Sequence, residues 1–139
     1  RSAPRRGSRV TNAIADSPSS LVLAAMNLLE PGPELYLGTR LRATALVGRQ
    51  GLEAALGQFL RTHRIQPEAM EFTAQFLCLE HLLSNRNDAR LAYGTWTRLS
   101  RACHFHGYEL PPPVHSLRLW LQEALATTEL LAEVRANQS

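Results

Sequence analysis

The chain contains no lysine, so all 15 of its basic residues are arginines. Aromatic residues make up only 6% of the sequence, and the abundance of alanine and leucine favours helix over strand. No stretch alternates between apolar and polar residues for long enough to predict a strand. No apolar run approaches the ~18 residues that a membrane-spanning helix needs. The sequence therefore predicts an all-α protein without a membrane partner.

Cysteine is also scarce, since Cys78 and Cys103 are the only two. They are not spaced as a CxxC pair, and each lies in an apolar helical pattern. Cysteines of this kind are usually buried free thiols, which are typical of a reducing compartment. Because residues 1–17 also lack the apolar core of a secretory signal peptide, we expect a cytoplasmic protein.

Residues 1–17 differ in composition from the rest of the chain, because they carry four arginines among proline, glycine and serine without a hydrophobic period. We expect a flexible arginine-rich arm here, followed by a single helical-bundle domain over residues 18–135. The net charge of +3 permits an anionic partner. Arginine suits such a partner because its planar fork grips phosphate from two directions.

Apolar periodicity predicts five helices that form an up-and-down bundle of four to five helices. Ser17 is a suitable N-cap for the first helix, with Pro18 at its first position. We expect the other helices over about residues 34–63, 67–84 and 88–105, and from Pro113 onward. Apolar residues on both sides of the third helix predict that it is central and largely buried.

The long second helix contains four glycines, Gly38, Gly48, Gly51 and Gly57. Each glycine weakens an exposed helix by about 1 kcal/mol relative to alanine. Their presence is best explained if the backbone of another helix comes close at these positions. The alternative is a break in the helix near residues 48–51.

Residues 100–121, SRACHFHGYELPPPVHSLRLWL, contain His104, His106 and His115, which are three of the five histidines. One interpretation is structural, because histidine near a helix C-terminus interacts favourably with the helix dipole. A metal site is a second interpretation. However, residues two apart on a helix point about 200° away from each other, so His104 and His106 share an ion only where the helix has ended. With no second ligand cluster available, we expect neither a metal nor another cofactor.

A third interpretation is chemistry on a phosphodiester, for which Arg101 and His106 supply the groups. Arginine neutralises the phosphate and the charge that develops in the transition state. Histidine, whose pKa lies close to neutrality, can accept or donate a proton. If the nucleophile is the 2′-hydroxyl of RNA itself, the protein needs no metal, nucleophile or cofactor of its own.

These residues resemble a motif of the HEPN superfamily, small helical bundles whose ribonuclease members share an arginine, four to six residues and then a histidine. The chain contains Arg101-ACHF-His106 followed by Tyr108, which gives Arg-x4-His-x-Tyr as in toxins of the MNT–HEPN type. It also contains Arg98-LSRAC-His104.

The layout of the chain is similar to that of HEPN domains over about residues 19–133. Residues 48–60, GRQGLEAALGQFL, look like the early HEPN helix in which Gln and Glu lie among alanines and leucines. The motif falls late in the fourth predicted helix, before a proline-rich turn and one last amphipathic helix.

The resemblance implies a metal-independent endoribonuclease of toxin or defence type that acts on RNA as a homodimer, with an antitoxin or another protein as a partner. In this hypothesis Arg101 binds the scissile phosphate, His106 is the general acid or base, and Tyr108 orients or stacks. Arg98 and His104 supply the adjoining wall. His104 is also an alternative to His106, since three residues place it closer in angle to Arg101 on a helix.

The other hypothesis is a non-catalytic helical module that mediates dimerisation or binds a protein or a nucleic acid. HEPN nucleases usually carry Asn, Asp or His directly after the motif arginine, whereas this chain has Ala102. The modest net charge also favours a module. Trp96, Trp120 and Tyr108 are then the expected contact residues, because aromatic side chains supply much of the binding energy at interfaces.

Overall fold

The computed structural model of the protein describes residues 17–30, 37–105 and 108–138. The expected arm therefore lies outside the described residues except for Ser17. Within them the chain forms no strand and has five α-helices, which confirms the predicted all-α bundle. The helices are α1 Pro18–Leu28, α2 Leu37–Thr62, α3 Phe72–Leu82, α4 Arg86–Cys103 and α5 Val114–Asn137. None of the helices in these ranges is long and apolar enough to cross a membrane.

Local chemistry sets the first residues of α1 and α4. The Ser17 side chain accepts a hydrogen bond from the backbone N–H of Ser20, and Pro18 follows it, as the sequence predicts. At α4 the Asn85 side chain accepts from the N–H of Asn87, at 2.9 Å. This cap starts α4 at Arg86, slightly earlier than the prediction of about residue 88.

Helix α2 is the central element, because it packs against each of the other four helices. Helix α5 packs against α1, α2 and α4, whereas α3 packs against α2 and α4. Two hydrogen bonds show the direction of α4 relative to α2. Trp96 of α4 donates to Glu53 of α2, and Arg42, nearer the start of α2, donates to the backbone carbonyl of Phe105 after the end of α4, so the two helices run antiparallel. As a result, the C-terminal end of α4 lies beside the N-terminal part of α2.

Two apolar clusters fill the bundle along its length. One joins α1 to α2, α4 and α5, and the other joins α2 to α3, α4 and the distal part of α5. The apolar residues that recur with the helical period in α2 are buried throughout: Leu41, Ala45, Leu52, Ala55, Leu56, Phe59 and Leu60. The two clusters together hold α2 in the middle of the bundle.

The predictions for the third helix were wrong at its start and in its burial. A 3-10 turn over Pro67–Ala69 precedes α3, and the backbone is extended at Met70. The buried Gln75 amide donates to the carbonyls of both Pro67 and Met70, which stabilises this non-helical entry. Leu77 is 56% exposed, so α3 is a peripheral helix and not a central one.

Two further details of α4 differ from what the apolar periodicity of the sequence indicates. Helix α4 ends at Cys103, two residues before the predicted end. Near the start of the same helix, the larger Leu91 is exposed and the neighbouring Ala92 is buried. In a helix with apolar residues on adjacent positions, a rotation of one residue exchanges which of them faces the core, and tertiary packing selects between them.

The glycines of α2 explain how closely its neighbours approach. A Cβ at Gly48 would overlap with the Cδ2 methyl group of Leu121 of α5. A Cβ at Gly51 would lie 2.8 Å from Val22 Cγ2 and 2.9 Å from the Pro18 carbonyl oxygen of α1. Close approach of another helix backbone is therefore confirmed at Gly51, whereas the neighbour at Gly48 is a leucine side chain, and no backbone atom of another helix comes close at Gly57. Helix α2 continues through residues 48–51 without a break. Nothing lies within 4 Å at Gly38, so the explanation does not apply there.

We expect Gly51→Ala to destabilise the protein by about 1–3 kcal/mol, because its methyl group meets a backbone oxygen that cannot rotate away. The matched control is Gly38→Ala in the same helix, which should be neutral or stabilise by about 0.4–1 kcal/mol. Urea unfolding followed by circular dichroism measures both. Equal effects of the two variants would contradict the proposed packing of α1 on α2.

Candidate functional site

The motif residues lie where α4 ends. His104 is the C-cap, with φ −124° and ψ 17°, and its N–H donates to the Arg101 carbonyl at 3.1 Å. Arg101 is thus in the last turn, and both its side chain and that of His104 are exposed. His106 and Gly107 lie outside the described residues. Because the helix has ended before position 106, the angular separation of residues 101 and 106 on an ideal helix does not apply.

The Arg98 side chain forms an ion pair with α5, so its charge is compensated. Its Nη2 lies 3.0 Å from Glu123 Oε2, and the Thr95 hydroxyl donates to the same carboxylate oxygen at 3.0 Å. Arg98 Nη2 also lies 3.4 Å from the Thr95 hydroxyl oxygen. The Glu123 charge therefore offsets that of Arg98, and this pair fixes the register of α4 on α5.

Arg101 contrasts with Arg98, although three residues place the two on neighbouring parts of the helix surface. Among the described residues, the Arg101 guanidinium has no hydrogen-bond or ion-pair partner. Its charge is therefore available to an anion from solution. The structure thus divides the two motif arginines into one that holds the bundle together and one that faces outward.

Arg42 of α2 meets the chain just after α4 and was not singled out by the sequence. Its Nη2 donates to the Phe105 carbonyl at 3.0 Å, and its Cζ lies 4.4 Å from the centre of the Phe105 ring. A carbonyl after the end of a helix lacks an intrahelical donor, and the guanidinium supplies one. No spacing rule could have found this contact, because 63 residues separate the two positions.

The two tryptophans expected at a partner surface also contribute contacts within the bundle. Trp96 Nε1 donates to Glu53 Oε2 at 2.9 Å, and its ring lies 5.5 to 6.1 Å from those of three neighbours, Phe72, Phe76 and Tyr93. Trp120 is partly buried against the apolar cluster of α1, α2, α4 and α5. Both tryptophans are half-buried, so part of each side chain remains exposed.

The loop before α5 presents the expected residue Tyr108 and an apolar neighbour. Tyr108 is 87% exposed and Leu110 is 94% exposed, the highest values among the large hydrophobic side chains that the structure describes. His115, in the first turn of α5, is also exposed. An aromatic and an aliphatic side chain this close together in solvent are typical of a contact surface.

Cys103 lies beside the candidate site but has the wrong chemistry for a nucleophile. Burial raises the pKa of its thiol, the nearby Arg49 guanidinium opposes that rise, and the Glu53 carboxylate adds to it. The thiol is therefore protonated at neutral pH, whereas a reactive cysteine needs a lowered pKa. Both cysteines are free, as the sequence predicts.

Metal ligands and clefts do not coincide with the motif in the described part of the chain. No group of three or more His, Cys, Asp or Glu residues there is arranged to hold a metal ion. Three of the clefts formed by the described residues have volumes of about 270 to 370 Å³, and none of these three is lined by Arg101, His104 or Tyr108. The exposed side chains of Arg101, His104 and Tyr108 therefore lie outside these three clefts.

Comparisons of the chain with protein-family models, with curated proteins and with solved structures found no match.

We expect the Arg98–Glu123 pair to contribute about 0.5–1 kcal/mol of coupling free energy, because both side chains are partly exposed and salt screens the attraction. A double-mutant cycle with Arg98→Met and Glu123→Gln, followed by urea unfolding, measures it. The control cycle is Arg90→Met with Glu80→Gln, a pair whose atoms lie 3.5 Å apart and whose arginine is 66% exposed. Its coupling should be smaller, and the reverse order would show that Glu123 does not fix α4.

Proposed function

We propose that the chain is a HEPN-like, metal-independent endoribonuclease whose catalytic surface is the C-terminal end of α4. The observation that carries this proposal is the state of Arg101. It is exposed in the last helical turn and has no partner among the described residues, while Arg98 beside it is neutralised by Glu123. A guanidinium held on a rigid helix end is a suitable binding group for one phosphate.

The reaction uses RNA as its own nucleophile. Arg101 binds the scissile phosphate and offsets the charge that develops on it. The 2′-hydroxyl attacks phosphorus, the bond to the 5′-oxygen breaks, and a 2′,3′-cyclic phosphate forms. His106 transfers a proton at the 2′-hydroxyl or at the leaving oxygen, and His104 is the alternative imidazole. Tyr108 stacks on a base or orients the substrate.

In this proposal Arg98 and Arg42 are positioning residues. The Glu123 carboxylate holds Arg98 against α5, so Arg98 fixes the helix that carries Arg101. Arg42 holds the Phe105 carbonyl, directly before His106 in the sequence. A second copy of the chain, in a homodimer, would bring a second set of these groups to the same RNA.

We expect the full chain to cleave RNA in the presence of EDTA and to leave cyclic phosphate ends. Arg101→Ala and His106→Ala should each lower the rate by about a hundredfold or more, because each removes a group that acts on the transition state. Gel analysis of end-labelled RNA measures the rate. The matched control is Arg86→Ala, an exposed arginine about 22 Å away at the other end of the same helix by its rise.

Three results would contradict the ribonuclease proposal. They are no cleavage by the wild type at high enzyme concentration, equal cleavage by all variants, and cleavage that EDTA abolishes. Retained cleavage in Arg86→Ala shows that general loss of positive charge is not the cause.

The second candidate function is a non-catalytic module that binds through the loop before α5. The exposure of Tyr108 and Leu110 favours it, since this adjacent pair offers the kind of aromatic and aliphatic contact that dominates interfaces. Ala102, which takes the place of a polar residue after the motif arginine, agrees with it. In this case the chain self-associates, and Arg101 at the edge of the surface contributes charge but no catalysis.

If the loop mediates a homodimer, the double variant Tyr108→Ser with Leu110→Ser should weaken dimerisation by about tenfold or more, because it removes two apolar contact side chains. Sedimentation equilibrium measures the dissociation constant. Leu77→Ser is the control, as it removes another exposed leucine on the peripheral α3. A monomeric wild type, or an equal effect of the control, would exclude this surface as the interface.

A further inference from the structure

A cleft of about 370 Å³ lies far from the motif, where the start of α1 meets α2 and α5. Its floor is formed by Phe59 and Leu131, which are only 1% and 2% exposed, and the more exposed Pro18 and Ala132 add apolar surface at its edge. The rim carries Ser19, Gln58 and Arg135. Phe59 is 17 residues from Arg42 along α2, which is about 25 Å at the helical rise per residue. The cleft is therefore separate from the end of α4, and its volume is within the range of small-molecule sites.

The cleft carries a single positive charge. Among the described residues that line it, Arg135 is the one that is charged, and its Nη1 donates to the neutral Gln58 amide oxygen at 2.9 Å. No carboxylate faces the guanidinium among the described residues. A guanidinium has five N–H donors, so one bond to an amide leaves most of them available.

The other two clefts lack this property, because their charges are already compensated. In the cleft between α3 and α4, Arg90 forms an ion pair with Glu80 at 3.5 Å. In the cleft beside the 3-10 turn, Arg61 pairs with Glu68. Among the residues that the structure describes, the Arg135 cleft is thus the one of the three whose positive charge has no counter-charge on its walls.

Hydroxyl groups complete the rim on the side of α1. The Thr128 hydroxyl donates to the Leu125 carbonyl at 2.8 Å, so at 3.3 Å its oxygen accepts from the Ser19 hydroxyl. The Ser19 hydroxyl can rotate from that weak bond to an incoming acceptor. The rim therefore provides a guanidinium and a rotatable hydroxyl, both donors, above an apolar floor.

We propose that this cleft binds a small organic anion, a phosphate monoester or a carboxylate joined to a flat apolar body. Arg135 and Ser19 bind the anionic group, and the apolar body packs against Pro18 and Ala132 above the floor formed by Phe59 and Leu131. An uncharged aromatic compound lacks the first interaction, and an inorganic anion lacks the second. The site is thus selective for ligands that combine both features.

The test uses phenyl phosphate and benzoate as probes, with phenol and inorganic phosphate as half-probes, on the full chain labelled with ¹⁵N. We expect phenyl phosphate, benzoate or both to shift the amide signals of Ser19, Gln58 and Thr128 at millimolar concentration, and both half-probes to bind more weakly. Comparison of the two full probes distinguishes a phosphate monoester from a carboxylate as the preferred anion.

Two variants test separately the contribution of the charge and the contribution of the cavity to binding. Arg135→Gln should weaken binding by about tenfold or more, because a charge-assisted hydrogen bond is lost. Ala132→Phe places a ring into the cleft from the exposed position 132 of α5 and should abolish binding. Arg118→Gln, an exposed arginine on the same helix, should bind as the wild type does.

The proposal is overturned if neither full probe shifts these signals, or if Arg118→Gln weakens binding as much as Arg135→Gln does. It is also overturned if Ala132→Phe, folded by its own spectrum, binds normally, because the anion then rests on the surface and not in the cleft.

Discussion

The close approach of α1 and α5 to α2 is the constraint on which the rest of the structure depends. Gly48 and Gly51 have no side chain, so Leu121 and the Pro18 carbonyl occupy the space that a Cβ would fill. Because packed interiors leave no room for an added methyl group without displacement, these two positions fix how far apart three helices lie. The placement of Arg135 opposite Gln58 follows from the same packing of α5 on α2.

Polar contacts then fix α4 in this frame. Glu123 of α5 binds Arg98, and Glu53 of α2 accepts from Trp96, so a carboxylate on each neighbouring helix holds α4. Partly buried hydrogen bonds of this kind are directional, and they select one register among those that apolar contacts allow. The consequence for function is that Arg98 is compensated, and Arg101, one turn further on, faces solvent with its charge available.

The two sites proposed for this protein differ in character and lie about 25 Å apart along α2 by its helical rise. Arg101 lies exposed at the end of α4 and lines none of the three clefts, which agrees with the proposal of a polymer such as RNA whose phosphates approach from outside. Arg135 lies in a concave cleft above an apolar floor, which suits a small ligand. Shape, more than charge, distinguishes the two, since each presents one arginine without a carboxylate partner among the described residues.

The sequence alone determined the helical class, the Ser17 cap and the buried stripe of α2, because capping and apolar periodicity are local properties of the chain. It also drew attention to Arg101 through a short motif. It failed at the start of α3, where the Gln75 side chain bonds across a non-helical segment. Only the tertiary structure decided that Glu123 pairs with Arg98, that Arg42 donates to the Phe105 carbonyl and that Arg135 lies at the rim of a cleft. These pairs come from different helices, and a single sequence has no periodicity that links residues brought together by the packing of the bundle.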